Sequence, residues 1–431
     1  MQTIFVFVPQ LSPRLFYTLD WVLKEQLQLD YRLLTDKTSL PEGFFISYGT
    51  PVPGSLFIPD NGLLWQQNIQ AGYQPSFEEN LQYHQEIKAL SFDIFSAVFY
   101  LLSRYEEYMP DRFTPDKHNR FPATESVLYK CGLLEIPVVD EWLQALREIL
   151  LQQFGITVAT KNFSFLPTYD IDIAWSYQNK GWKRNTGAFI KDLLAGNFAA
   201  ASSRITVLSG KDKDPYDAFD WMQKLHDQLD IKPIYFILAA LATTPFDKNI
   251  SPAHPAMQTL IRRLAENGTI AMHPSYFTKS DNQLFEKEQR TLARITNEEI
   301  TISRQHYIRL HLPETYRQLT LHHISDDYSM GYGAWLGFRA GTGNSFNWYD
   351  LQQEQETTLR IHPFCFMDTT AHYELKLAAD VAFERLYQMS LRLKRCNSTL
   401  ITVFHNFSLG SAREWKGWHT AYERFLRLIC G

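Results

Sequence analysis

At 431 residues, with 45% hydrophobic and 21% charged side chains, the chain has the composition of a globular protein large enough to bury more than one core. A formal charge of −5 offers no basic field to a nucleic-acid backbone, so that partner class is not expected. The cysteines at 131, 365, 396 and 430 form no paired motif and read as buried thiols, and no apolar run approaches the ~18 residues of a membrane span.

The opening stretch, MQTIFVFVPQLSPRLF, lacks a basic leader and is interrupted by Pro9 and Pro13. It reads as a first strand, Thr3–Val8, and a cytoplasmic address follows by default. A second strand is predicted at Gly43–Tyr48, then a turn-rich run from Gly49 to Gly62. Apolar spacing predicts an amphipathic helix near Phe92–Tyr108, and Pro110–Thr124 reads as a surface loop. Val138–Phe154 reads as a helix capped by Asp140 and closed at Gly155. Arg104, Glu106, Glu107, Arg112 and His118 form a polar cluster expected to make loop salt bridges. Residues 1–160 are thus expected to be a smaller mixed α/β domain that packs on the rest and helps shape its cleft.

From Phe163 short β runs alternate with longer helical ones. Strands are predicted at Phe163–Tyr169, Pro233–Ala239, Thr269–His273, Glu299–Ser303, Leu319–His323, Thr358–Pro363 and Leu400–His405. Helices are predicted at Tyr216–Leu229 (with Asp214-Pro215 as its start signal), Ala256–Glu266, Gln283–Asn297, Tyr373–Lys394 and Arg413–Leu428. Such alternation predicts parallel strands with right-handed crossovers, here a distorted (β/α) barrel of about seven strands over residues 161–431. The basic connection Gly181–Lys213 reads as solvated helix, with contact to an anionic surface or cover for the barrel mouth as alternatives.

Barrels of this kind place their chemistry at the C-terminal ends of the strands. Four segments sit at such ends: Thr168–Asp172, Met272–Tyr276, Ser303–Tyr307 and Val403–Asn406. Asp170 and Asp172, two apart on a strand, face the same side, which suits one carboxylate on a cation and the other as a base. A turn or helix cap is the plainer account. His273, stopped by Pro274, is a candidate metal ligand or a hydrogen-bonded structural histidine. His405 ends an apolar strand in a polar loop and suits a general acid, with Asp368 a candidate to orient its ring. Arg304 and Arg339 are candidates for holding a carboxylate or an oxyanion, or for structural salt bridges. Gly341–Gly343 is too short for a phosphate loop and reads as a tight turn beside the site.

In this order the segments resemble the polysaccharide deacetylase superfamily, carbohydrate esterase family four with its NodB-type domain. They look most like the bacterial branch in which that domain follows an N-terminal region of unknown function. Ser103–Tyr108 (SRYEEY) and Pro137–Trp142 (PVVDEW) resemble that N-terminal region, and Gly337–Thr342 is typical of the branch. The resemblance implies Asp170 as catalytic base, Asp172 and His273 as metal ligands, Arg304 with His306-Tyr307 as the arginine motif bracing the base, Asp368 as its acidic motif, and His405 as the catalytic histidine. It further implies a divalent metal, zinc before others, and an acetylated sugar or oligosaccharide as substrate. Where the family has a second histidine, four residues after the first, this chain has Phe277; His306 is then the expected third ligand and Thr278 a weaker one. A catalytically silent sugar-binding or scaffolding barrel, and a metal hydrolase of another amide such as a cyclic ureide, are the alternatives.

Overall fold

A computed structural model describes residues 2–40, 42–109 and 113–430 of the chain. It is a mixed α/β structure with two sheets. The first contains β1 (Thr3–Phe7), β2 (Asp30–Leu34), β3 (Phe45–Tyr48), β4 (Leu56–Ile58), β5 (Tyr83–His84) and β6 (Ala89–Leu90) in the order β2-β1-β3-β4-β6-β5. Strand β4 lies inside the stretch predicted as turns: at three residues it is too short to show a period. Arg112 of the predicted polar cluster lies outside the described residues.

Beside this sheet runs the helix Ile94–Leu102, opened by Asp93, whose side chain accepts from the Ser96 N–H. All nine of its residues are buried, so it is a core helix and not the amphipathic one expected. It also stops six residues early, because Arg104 adopts left-handed backbone (φ 54°). The helix Val138–Phe154 has the predicted bounds and closes on Gly155 at φ 67°. Asp140 is not its cap. It sits inside the first turn and accepts from Thr342 Oγ1 (2.6 Å), Gly343 N (2.8 Å) and Asn344 Nδ2 (2.9 Å).

The second sheet contains β7 (Ser164–Ile171), β8 (Ile234–Leu238), β9 (Thr269–His273), β10 (Ile302–Ser303), β11 (Asp326–Asp327), β12 (Phe346–Asp350), β13 (Gln355–Ile361), β14 (Phe366–Met367) and β15 (Thr399–His405). Only β12, hairpinned onto β13, is antiparallel. All five residues of β8 are buried, as expected of a parallel strand covered on both faces. Strand β13 pairs with β11, and β14, five residues further along the same run of chain, pairs with β15. Since β15 pairs with β7, this one bent segment closes a ring of seven: β7, β8, β9, β10, β11, β13–β14 and β15.

Two predicted elements need correction. Leu319–His323 is not a strand: Glu314–Leu321 is a helix that buries Thr315, Tyr316 and Leu319, a helical spacing, and the ring strand is β11 just beyond it. Asp214 does not start its helix, which begins at Phe219. It accepts from the N–H groups of Ser176, Tyr177 and Gln178 and so ties down the loop after β7. The last two helices, Ala379–Arg395 and Trp418–Cys430, begin later than predicted.

The two sheets share one continuous apolar core, from Ile4 and Val98 to Phe404 and Tyr422. The glycine-rich loop 337–343 makes their seam, away from the site it was expected to border. A Cβ on Gly337 would lie 2.3 Å from the Leu134 carbonyl oxygen, and one on Gly343 2.3 Å from that of Thr399, so only glycine lets these backbones approach. Arg339 is likewise structural: with Arg104 it clamps the buried carboxylate of Glu107. No helix among the described residues is long and apolar enough to cross a membrane.

Candidate metal centre and catalytic residues

The C-terminal tips of β7, β9 and β15, with the turns after β8, β10 and β14, converge on a cavity of about 470 Å³. Because β15 and β7 pair with His405 beside Asp170, and β8 and β9 with Leu238 beside His273, ring register carries these residues to one rim.

Asp172 is the hub. Its Oδ1 lies 3.3 Å from His273 Nε2, and its Oδ2 lies 3.5 Å from His306 Nε2 and 3.4 Å from His405 Nε2. One donor atom each from Asp172, His273 and His306 lie within 4.8 Å of one another. Zinc donors at about 2.0–2.1 Å in a tetrahedron are about 3.3 Å apart, so this spacing fits a shared ion. Two further features agree. Asp172 Oδ1 is sheltered from solvent without a hydrogen-bond partner, though the side chain as a whole is 18% exposed. The outer nitrogens of both imidazoles are already engaged, which turns Nε2 of each inward: His273 Nδ1–H donates to the Arg304 carbonyl, and His306 Nδ1 meets Asp247 Oδ1 at 3.0 Å. The chain turns away just after His306 through left-handed backbone at Tyr307 (φ 58°) and Ile308 (φ 52°).

The expected weaker ligand, Thr278, is buried and donates its hydroxyl to the Ser275 carbonyl at 2.7 Å. Phe277 is 46% exposed at the rim and packs edge-on to Phe246.

Two pairs flank the hub. On one side Arg304 Nη1 donates to Asp170 Oδ1 at 2.7 Å, while its Nε holds the Tyr328 carbonyl at 2.9 Å. The guanidinium lies 4.1 Å from the Phe236 ring centroid, a face that favours a buried cation. Asp170 Oδ2 is left facing the site, 3.7 Å from His273 Nε2. On the other side His405 Nδ1 meets Asp368 Oδ1 at 2.6 Å, and the His405 backbone N–H donates to Asp368 Oδ2 at 2.7 Å. Asp368, fully buried, fixes both ring and backbone, and His405 Nε2 points at the cavity.

The charges follow from these contacts. Burial works against the Asp172 carboxylate, but His306 and His273 outweigh it and hold the group well below the usual range. Burial also opposes the imidazolium of His306, yet Asp172 and Asp247 raise it to about 9. His405 is likewise pushed well up, against burial, chiefly by Asp368 and Asp172. His273 goes the other way, because burial exceeds the pull of its carboxylate neighbours. Without a cation the cluster thus holds protons, and a cation there would replace them.

Reading by sequence missed Asp247 and Glu288. Asp247 follows the β8 strand in a Thr-Pro-Phe-Asp turn; the expectation that a ligating histidine has an outer carboxylate was the available signal. Glu288, fully buried, accepts from the Ser275 N–H at 2.9 Å, and burial raises it to about 7. Its folded pKa exceeds its unfolded one, so its stabilising contribution is complete below about pH 4.5 and is lost as pH rises through about 7. Glu288→Gln keeps the acceptor and lacks that loss. Its unfolding free energy relative to the parent should rise by about 3 kcal/mol from pH 4.5 to pH 8, read by denaturant melts at both values.

The N-terminal region completes the cavity wall through Lys117, His118 and Arg120. His118 Nδ1 lies 3.1 Å from the Tyr276 hydroxyl, and Arg120 Nη1 donates to the Tyr307 carbonyl at 2.8 Å.

Residues 4–155 match a family of unknown function, DUF7033. No curated protein matches the chain. Among solved structures the chain is similar to a "putative polysaccharide deacetylase" from Mycobacterium smegmatis, with a TM-score of 0.41 and 13% identity over 63% of this chain and 85% of that one. It is also similar to Puue allantoinase, with a TM-score of 0.39 and 13% identity over 62% and 83% of the two chains. The polysaccharide deacetylase Bc1974 from Bacillus cereus gives a TM-score of 0.29 and 11% identity over 62% and 87%.

Proposed function

We propose that the chain is a metal-dependent hydrolase of the polysaccharide deacetylase superfamily that removes acetyl groups from an acetylated sugar or glycan precursor. The division near residue 160, into an N-terminal unit and a catalytic barrel, is part of this reading. The observation that carries it is the donor set of Asp172, His273 and His306, flanked by one carboxylate braced by an arginine and one histidine braced by a carboxylate. His306 supplies the third donor that Phe277 does not, which favours a working site over a silent barrel.

A divalent ion at such a donor set, zinc before others, supplies Lewis-acid polarisation of a carbonyl and acidifies a water to about pKa 7. The residues then divide the proton traffic. Asp170, held in place by Arg304 through Oδ1, takes the proton of the attacking water through its free Oδ2. His405, whose Nδ1 is held by Asp368 so that Nε2 faces the cavity, gives a proton to the departing nitrogen or oxygen. The acetyl carbon exchanges its bond to the sugar for one to the water oxygen, and acetate leaves.

The test pairs metal content with turnover. The purified chain should hold about one equivalent of divalent metal by elemental analysis and release acetate from an acetylated oligosaccharide. Asp172→Ala should lose both. A parent chain with neither metal nor activity would identify a silent barrel, and metal with turnover only on other amides would redirect the substrate.

A further inference from the structure

Between Lys180 and Lys213 the chain leaves the barrel as a helical hairpin, Gly181–Leu194 and Phe198–Leu208. Its inner side is built: Arg204 donates to Asn185 Oδ1 at 3.0 Å and pairs with Asp192 at 2.8 Å, beside buried Ala201 and Val207. Its outer side is bare. Trp182, Ile190, Leu194, Phe198, Ile205 and Leu208 are all exposed, Trp182 at 74%, Leu194 at 85% and Phe198 at 68%. Scattered single apolar residues need no explanation, but seven within residues 182–208, Leu193 being the other, make a patch of the kind that marks an interaction surface.

Charge indicates the partner. Between Lys180 and Lys213 there are seven Lys or Arg and two Asp, a local +5 in a chain of −5, so everything else sums to −10. Exposed apolar side chains with a tryptophan at one end, interleaved with lysines, are the composition of helices that lie in a membrane–water interface. The hairpin also stands at the cleft: Arg184 Nη2 donates to the Lys248 carbonyl at 2.7 Å, and Lys248 lines the cavity.

We propose that this hairpin docks the protein on an anionic lipid bilayer. Its apolar side enters the interfacial region, Lys183, Lys191 and Lys211 meet the headgroups, and the cleft mouth comes within reach of substrates anchored in the same surface. A symmetric contact with a second copy would instead bring two +5 surfaces together. The docking does not depend on the catalytic reading; only the reach to an anchored substrate rests on it.

Vesicle flotation of the full chain tests it. The chain should float with vesicles of phosphatidylglycerol and phosphatidylcholine in equal parts, less so as salt rises, and remain behind with pure phosphatidylcholine. Trp182→Ser, Leu194→Ser and Phe198→Ser together, all at exposed positions, should weaken binding by about tenfold or more with the melting temperature unchanged. Lys183→Glu with Lys191→Glu should weaken it by about tenfold and flatten the salt dependence. Absence of binding to the anionic vesicles, equal binding by the parent and both variants, or a lipid-free dimer in light scattering that the serine variant abolishes would overturn the proposal.

Discussion

Asp170→Asn should leave the chain folded and lower kcat on an acetylated oligosaccharide by about 10²–10⁴-fold, with KM little changed. The asparagine oxygen can still accept from Arg304 Nη1, and Arg304 keeps the Tyr328 carbonyl and the Phe236 ring, so the local packing survives. What disappears is a basic oxygen facing the cavity. His405→Ala should cost a similar factor by removing the proton donor that Asp368 orients. The loss should shrink for substrates with a good leaving group, such as an acetylated phenol, since these depart without a proton. Circular dichroism and a thermal melt check the fold, and acetate release checks the rate. Undiminished turnover in either variant would remove that residue from the mechanism.

Arg339→Met should destabilise the protein by about 3–5 kcal/mol in urea denaturation. Glu107 is buried and accepts from Arg339 Nε (2.9 Å) and Nη2 (2.5 Å) and from Arg104 Nε (2.7 Å); Arg104 also donates to Glu106 Oε1 at 2.9 Å. Burial raises the Glu107 carboxyl, but Arg339 and Arg104 outweigh it and keep the group below its ordinary range. Among the described residues Arg339 and Arg104 both pair with Glu107 out of water, and removing Arg339 takes away one of the two cations that offset its buried charge. Glu107→Gln in the same chain should recover part of the loss, and that positive coupling in a double-mutant cycle separates the ion pair from side-chain volume. A cost below about 1 kcal/mol for Arg339→Met alone would mean that water or another cation reaches Glu107. Since Glu107 belongs to the first sheet's neighbourhood and Arg339 to the barrel's loops, this cluster contributes to holding the two together.

The local elements were largely legible in the sequence. Strands β1, β7, β8, β9 and β15 and the helix Val138–Phe154 lie where apolar period and Gly155 put them, because such signals come from neighbours in the chain. The misreadings share one cause. The helix read near Phe92–Tyr108 looked amphipathic from its apolar spacing but, as Ile94–Leu102, is wrapped on all sides, and Leu319–His323 looked like a strand because a short apolar run has no period of its own. Both outcomes depend on what packs against them from far along the chain.

The sequence by itself determined that Asp170, Asp172, His273, Arg304, His306 and His405 would stand at strand ends, because alternation and the prolines and polar turns that stop each run are local properties. Only the tertiary structure decided which of them meet. The bent segment that closes the ring, the meeting of His306 with Asp172, the Asp247 that holds its outer nitrogen, and the 117–120 wall from the N-terminal region all arise between residues far apart in the chain. Ring closure and burial set those contacts, and no spacing within a single run encodes them.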